Sequence, residues 1–352
     1  MAETYKKIFD TEHKSNSDII NNRRIINGQD DGLMQVSPLK HPFADEIFKI
    51  MLKNTWVPQE VSLQRDIEQW NSSTDLTEQE RRIFQRSLSF VSNLDGLQTN
   101  NLVTNICRHI TSPEVNLVIV RQAFEEALHV HSYATMIEAI GLDPEESYGL
   151  YRKDKELFQK NKMVLEAVNK ISDPNFKTGS FENDQLFLEA CIGNIIIEGI
   201  YFYSAFLTFY VFRRNNKMPG SAEMIQFINR DEDMHLRLFV NIVKTIKEEQ
   251  PEIWTKSFQE KIRQNIIDAV NMEYEWGKSC IGEGILGLNR ETLKEYLEFI
   301  GDIRLQQIGL EKEWGTKNPI LWIEEYTSGS MIETNFFEGT VREYSTGSLS
   351  WD

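Results

Sequence analysis

Glu126-Ala-Leu-His129 and Glu232-Asp-Met-His235 share one pattern, a carboxylate followed three residues later by an imidazole. Residues i and i+3 share a helix face, so each motif aims an acid and a histidine at one point. The motifs lie far apart in the chain, on separate helices that can face each other. Two further helices, each donating one inward carboxylate, would complete a dinuclear site. Glu198 in IIIEGIYFYSAF and Asp95 in SFVSNLDGLQTNNL are acids set among apolar residues and fill those places. Four carboxylates and two imidazoles, with no thiolate, suit two first-row dications such as iron or manganese rather than structural zinc. Buried without a cation, the acids would repel one another and take up protons, so metal binding should also stabilise the fold. Taken singly, such a motif is often a surface pair and Asp95 is uninformative; the set of six carries the argument. His131 is two residues from His129 and faces elsewhere, and His13, His41 and His109 have no comparable neighbours.

The elements that must hold these residues read as helices. Thr77 and Glu80 form a capping box ahead of a helix over 78–104. Ser112-Pro113 opens the next, which stops at Gly141. Further helices are expected over 148–170, 184–212, 221–248, 252–281 and 290–312, with only weak strand signals. The fold class is therefore all-α, a helical bundle. Residues 1–30 are polar and read as loosely ordered or extended; 31–325 form one helical domain; 326–352 read as a flexible tail. From Cys191 to Phe212 the chain is apolar enough to span a bilayer and ends at Arg213-Arg214. Glu198 inside it favours a helix buried in the bundle, with no membrane role.

The chain has 352 residues with 38 Lys and Arg against 54 Asp and Glu, a formal net charge of −16, which argues against nucleic-acid binding. Cys107, Cys191 and Cys280 are scattered, so neither a disulfide framework nor a thiolate zinc site is expected. The N-terminal residues show no apolar signal run, and a cytoplasmic setting is expected. No glycine-rich phosphate loop is present.

FEEALHVHSY (124–133), IIIEGIYFYSAF (195–206) and FINRDEDMHL (227–236) resemble the radical-generating small subunit, R2, of class I ribonucleotide reductase. The resemblance runs from about Trp56 to the C-terminus. It implies a ferritin-like bundle, a homodimer, two metal ions per chain activated by an oxygen species, and a large subunit that reduces ribonucleotides. It implies that Tyr133 bears the radical and that Phe202, Phe206 and Ile228 form its apolar pocket. Trp56 and Asp231 match the route by which the oxidising equivalent leaves the core, Asp231 being expected to bond His129 or Trp56. Tyr344 matches a tail tyrosine that passes it on, and the extreme C-terminus, with Trp351 as anchor, would dock on the large subunit. A tyrosine at 133 favours a diiron centre; relatives with Mn/Fe or Mn/Mn pairs keep those metals open. Two other classes remain at this point: a ferritin-like dimetal oxidase or monooxygenase, and a metal-binding structural bundle. The oxidase would not need Trp56, Asp231 and Tyr344 together, and the structural bundle predicts no effect of Tyr133→Phe on any reaction.

Overall fold

The computed structural model describes residues 14–30, 32–169 and 171–327. The helices are α1 (Asn16–Asn21), α2 (Pro42–Lys53), α3 (Gln64–Asn71), α4 (Glu78–Asn101), α5 (Pro113–Ile140), α6 (Pro144–Lys153), α7 (Lys155–Asn169), α8 (Phe181–Ile196), α9 (Tyr203–Arg214), α10 (Pro219–Glu249), α11 (Lys256–Ile281), α12 (Arg290–Gln307) and α13 (Glu324–Thr327). Two π-helical turns interrupt the regular spacing, Leu102–Ile106 after α4 and Ile197–Tyr201 between α8 and α9. Among the described residues the only β-pairing is an isolated Ile285–Leu288 bridge.

Local chemistry sets the helix ends. Thr77 accepts from the Glu80 amide and Glu80 accepts from the Thr77 amide, so the capping box forms. Ser112 caps α5 ahead of Pro113, and Gly141 ends it at φ 81°, a left-handed conformation that glycine adopts without penalty. α10 begins after Met218, whose φ is 47°; the Asp66 carboxylate from α3 accepts from its free Gly220 and Ser221 amides. The stretch expected as one helix over 148–170 is two. Asp154 interrupts it, its carboxylate accepting from the Leu157 amide and pairing with Arg86 at 2.5 Å.

α4, α5, α10 and the α8–α9 rod pack in a closed ring: α4 against α5, α5 against α10, α10 against α8 and α9, and α9 back against α4. The rod Phe181–Arg214 is long and apolar enough to cross a membrane, yet its most apolar window is wholly buried inside the protein. α11 and α12 pack on each other and back onto the rod.

Residues 14–30 depart from the loose lead-in expected of a polar segment. Ile25 and Ile26 are fully buried, and Arg23 is buried against Glu114 at 3.1 Å. Glu114 also accepts from the Lys40 amide and the Ser112 hydroxyl, while His41 lies between Ser112 and Glu249. Burial works to raise the Glu114 carboxyl, but hydrogen bonds, His41's first among them, hold it at about 2. A depressed acid contributes stability above its unfolded pKa and loses it as pH falls through the folded value. Glu114→Gln leaves Arg23 without its charge partner and should cost about 3–5 kcal/mol at pH 7. Urea unfolding should show that gap closing as pH falls from the ordinary 4.5 toward about 2.

Candidate metal centre

Each helix of the ring brings its own part of the site. Asp95 comes from α4, Glu126 and His129 from α5, Glu198 from the π turn at 197–201, and Glu232 and His235 from α10. All six side chains are buried. Their donor atoms fall into two overlapping groups, Asp95, Glu126, His129 and Glu232 in one, Glu126, Glu198, Glu232 and His235 in the other. Within each group the atoms lie within 4.8 Å of one another. Glu126 and Glu232 belong to both groups, as carboxylates that bridge two ions would. His129 Nδ1 is 3.1 Å from Glu232, 3.5 Å from Asp95 and 3.8 Å from Glu126. His235 Nδ1 is 2.7 Å from Glu232 and 3.3 Å from Glu126.

Buried polar atoms are normally hydrogen-bonded. Here both Asp95 oxygens, Glu126 Oε2, His129 Nδ1, Glu198 Oε2 and Glu232 Oε1 have no hydrogen-bond partner among the described residues. All belong to the one cluster, and two cations would supply every one of them with a partner. The buried Asp/Glu/His cluster fits a dinuclear metal site.

The electrostatics agree. Burial first, with neighbouring carboxylates adding to it, pushes Asp95 up to about 8 and raises Glu126 and Glu198. For Glu232 burial works the other way from the result: the His235 and His129 charges hold it well below the usual range. Both histidines are raised well above the ordinary value, because the surrounding acids, Glu232 foremost, outweigh burial. Burial and mutual repulsion thus favour proton uptake by Asp95, Glu126, Glu198 and the two histidines in the metal-free cluster.

The outer nitrogens of the two imidazoles are held alike. His129 Nε2 lies 3.3 Å from Asp231 Oδ2, and the same oxygen accepts from Trp56 Nε1 at 2.7 Å. The Trp56 and His129 rings stack with centroids 6.5 Å apart and planes at 25°. His235 Nε2 lies 2.9 Å from Glu125, which Arg121 pairs at 2.9 Å. Glu125, Gln98 and Gln122 were not singled out in the sequence. Gln98 and Gln122 both donate to Glu198 Oε1, the latter at 3.0 Å. Position beside Glu126 and at i−4 from it was the only signal for Glu125 and Gln122, and adjacency alone is weak. Arg230 donates to the Asn54 carbonyl at 2.5 Å and lies 3.7 Å from Asp231. His131 is exposed.

Tyr133 is fully buried on α5, and its hydroxyl, on the Asp95 side of the cluster, makes no well-formed hydrogen bond among the described residues. Burial, then the Asp95 charge, pushes its pKa well above the ordinary value. Phe202 and Phe206 stack at 5.3 Å, and both are buried, as is Ile228. Tyr344 and Trp351 lie outside the described residues.

A ring of helices that delivers two paired motifs and two single carboxylates to one buried cluster defines a ferritin-like bundle whose core fits a dinuclear carboxylate site. The family profile described as "Ribonucleotide reductase, small chain" matches residues 33–319. The chain is 39% identical over 334 residues to the ribonucleoside-diphosphate reductase subunit beta of Chlamydia pneumoniae, covering 94% of this chain and 96% of that one. It is 33% identical to the subunit of the same name from Treponema pallidum, covering 95% and 93%. The ribonucleotide reductase R2 subunit from Clostridium botulinum superposes with a TM-score of 0.80 at 34% identity, covering 87% of this chain and 94% of that one. The chain belongs to the ribonucleotide reductase small-chain family.

A cluster that holds protons must release them to take up cations. Manganese(II) affinity should therefore rise with pH between 6 and 8, and calorimetry in buffers of different ionisation heat should detect proton release at pH 7. Affinity that does not change over that range would contradict the charge balance described above.

Proposed function

We propose that this chain, the small subunit of a class I ribonucleotide reductase, generates an oxidant beside its metal cluster and passes it to a large subunit that reduces ribonucleotides. The observation that carries the reading is one carboxylate oxygen, Asp231 Oδ2, which meets both the buried Trp56 indole and the outer nitrogen of His129. A metal-binding bundle with no redox partner has no use for that connection.

Asp95, Glu126, His129, Glu198, Glu232 and His235 would hold two metal ions, and Glu126 and Glu232 lie in both donor groups. The donor set suits iron or manganese. A diiron pair is proposed, because Tyr133 is present to take the oxidising equivalent; Mn/Fe and Mn/Mn pairs are the alternatives. When bound and oxidised, the metal pair supplies a one-electron oxidant. Tyr133 then gives up an electron together with its phenolic proton. Its raised pKa makes loss of the proton alone costly, so the two leave together, the proton toward Asp95. Phe202, Phe206 and Ile228 exclude water and reductants from the resulting phenoxyl. Asp231 fixes the His129 ring and receives the Trp56 N–H proton as the indole is oxidised, so electron and proton movements stay matched. Tyr344 hands the equivalent to the partner, and the 326–352 tail docks there through Trp351. The subunit works as a homodimer in the cytoplasm.

Tyr133→Phe should abolish the organic-radical EPR signal after aerobic reconstitution with iron while two metal ions per chain remain bound. If wild type shows no such signal with iron but oxidises with manganese present, the metal pair itself stores the oxidant. Deleting 345–352 should weaken large-subunit binding at least tenfold, about 1.4 kcal/mol, with metal content unchanged. Equal affinity would refute the docking role.

A further inference from the structure

Glu198 sits on a π turn whose backbone is engaged by side chains from other helices. Over Ile197–Tyr201 the backbone widens to π geometry, which disturbs the regular hydrogen-bond ladder inside the buried core. Three charged side chains from three other helices meet the displaced groups. Arg304 of α12 donates through Nε to the Gly199 carbonyl at 2.9 Å and through Nη2 to the Tyr203 hydroxyl at 3.0 Å. Lys160 of α7 donates to the Tyr201 carbonyl at 2.9 Å. Glu273 of α11 accepts from the Ser204 amide at 3.1 Å and from the Ser204 hydroxyl, and it pairs with Lys160.

None of these groups has a place in the chemistry proposed above, and all three are buried. The Lys160 ammonium lies 3.4 Å from the Phe90 ring centroid and 4.2 Å from that of Trp276. A buried ion pair is costly to desolvate and is often replaced by apolar residues with no loss of stability, so stability alone is a poor reason for it. Gly199 shows how closely the turn is engaged. A Cβ there would stand 2.6 Å from Arg304 Nε and 3.1 Å from Leu236 Cδ1.

The consequence falls on one residue of the cluster. Losing the extra residue of a π turn would rotate the chain before it by about 100° relative to the chain after it. Glu198 rides on that turn, and it belongs only to the group it forms with Glu126, Glu232 and His235. The Asp95, Glu126, His129 and Glu232 group takes nothing from 197–204.

We propose that Lys160, Glu273 and Arg304 are positioning residues that hold the 197–201 turn at its π width. They thereby aim the Glu198 carboxylate and set the affinity of the second metal position without touching the first. The proposal rests on the dinuclear reading of the cluster.

The test uses the full-length metal-free protein titrated with manganese(II) alone, with EPR counting free ions and separating coupled pairs from isolated ions. Lys160→Met/Glu273→Met removes the pair together and strands no charge. It should stay helical by circular dichroism, bind one ion as wild type does, and bind the second at least tenfold more weakly, replacing the coupled signal with that of an isolated ion. Gly199→Ala, which displaces Arg304 by a single methyl, should give the same selective loss, and it decides the matter if the double variant does not fold. Two ions bound at unchanged affinity in folded variants, or equal weakening at both positions, would overturn the positioning role. Fewer than two ions in wild type would overturn the dinuclear reading instead.

Discussion

Repulsion among the buried carboxylates of Asp95, Glu126, Glu198 and Glu232 is the constraint around which the bundle is built. Carboxylates this close and this buried cannot all be ionised unless positive charge is brought to them. In the metal-free chain burial and the neighbouring acids push Asp95 up to about 8, and the acids raise both histidines, so proton uptake is favoured there. Two dications could do it in place of the protons, using the donor atoms that have no other partner. Metal uptake at this cluster would therefore be linked to folding.

Holding such a cluster demands rigid supports, and the outer contacts supply them. Asp231 and Glu125 occupy the far nitrogens of His129 and His235, so both rings are oriented from behind. The two sides differ in what lies beyond. Glu125 leads to Arg121, an ionic anchor, whereas Asp231 leads to Trp56, an oxidisable ring stacked on His129. The asymmetry gives the His129 side an aromatic neighbour that the His235 side lacks. Gln98 donates to Glu198, and Gln122 donates both to Glu198 and, at 3.2 Å, to Glu126, so amides from α4 and α5 hold these two carboxylates.

Much of this was legible in the residues. The i, i+3 spacing of Glu126 with His129 and of Glu232 with His235 is a local property of a helix and needs no tertiary information. Acids amid apolar runs, at Asp95 and Glu198, stand out because burying them is expensive. The Thr77 capping box and the Ser112-Pro113 start follow from side-chain chemistry within a few residues. Misjudgements arose where a distant partner decides. Residues 14–30 are polar by composition, but Glu114, far along the chain, gives Arg23 a buried partner and lets Ile25 and Ile26 pack. Asp154 divides an expected continuous helix because it caps the next one and meets Arg86.

Residue types and local periodicity thus determined the helices, the all-α class and the identity of the six clustered side chains, since these depend on chemistry within one or two turns. The sharing of Glu126 and Glu232 between two positions was decided only when four rods closed into a ring. So was the Asp231 oxygen that joins Trp56 to His129, and so was the π width of the turn beneath Glu198. Each depends on atoms from helices far apart in sequence meeting within hydrogen-bond distance, and no spacing along a single strand of chain encodes a distance across a core.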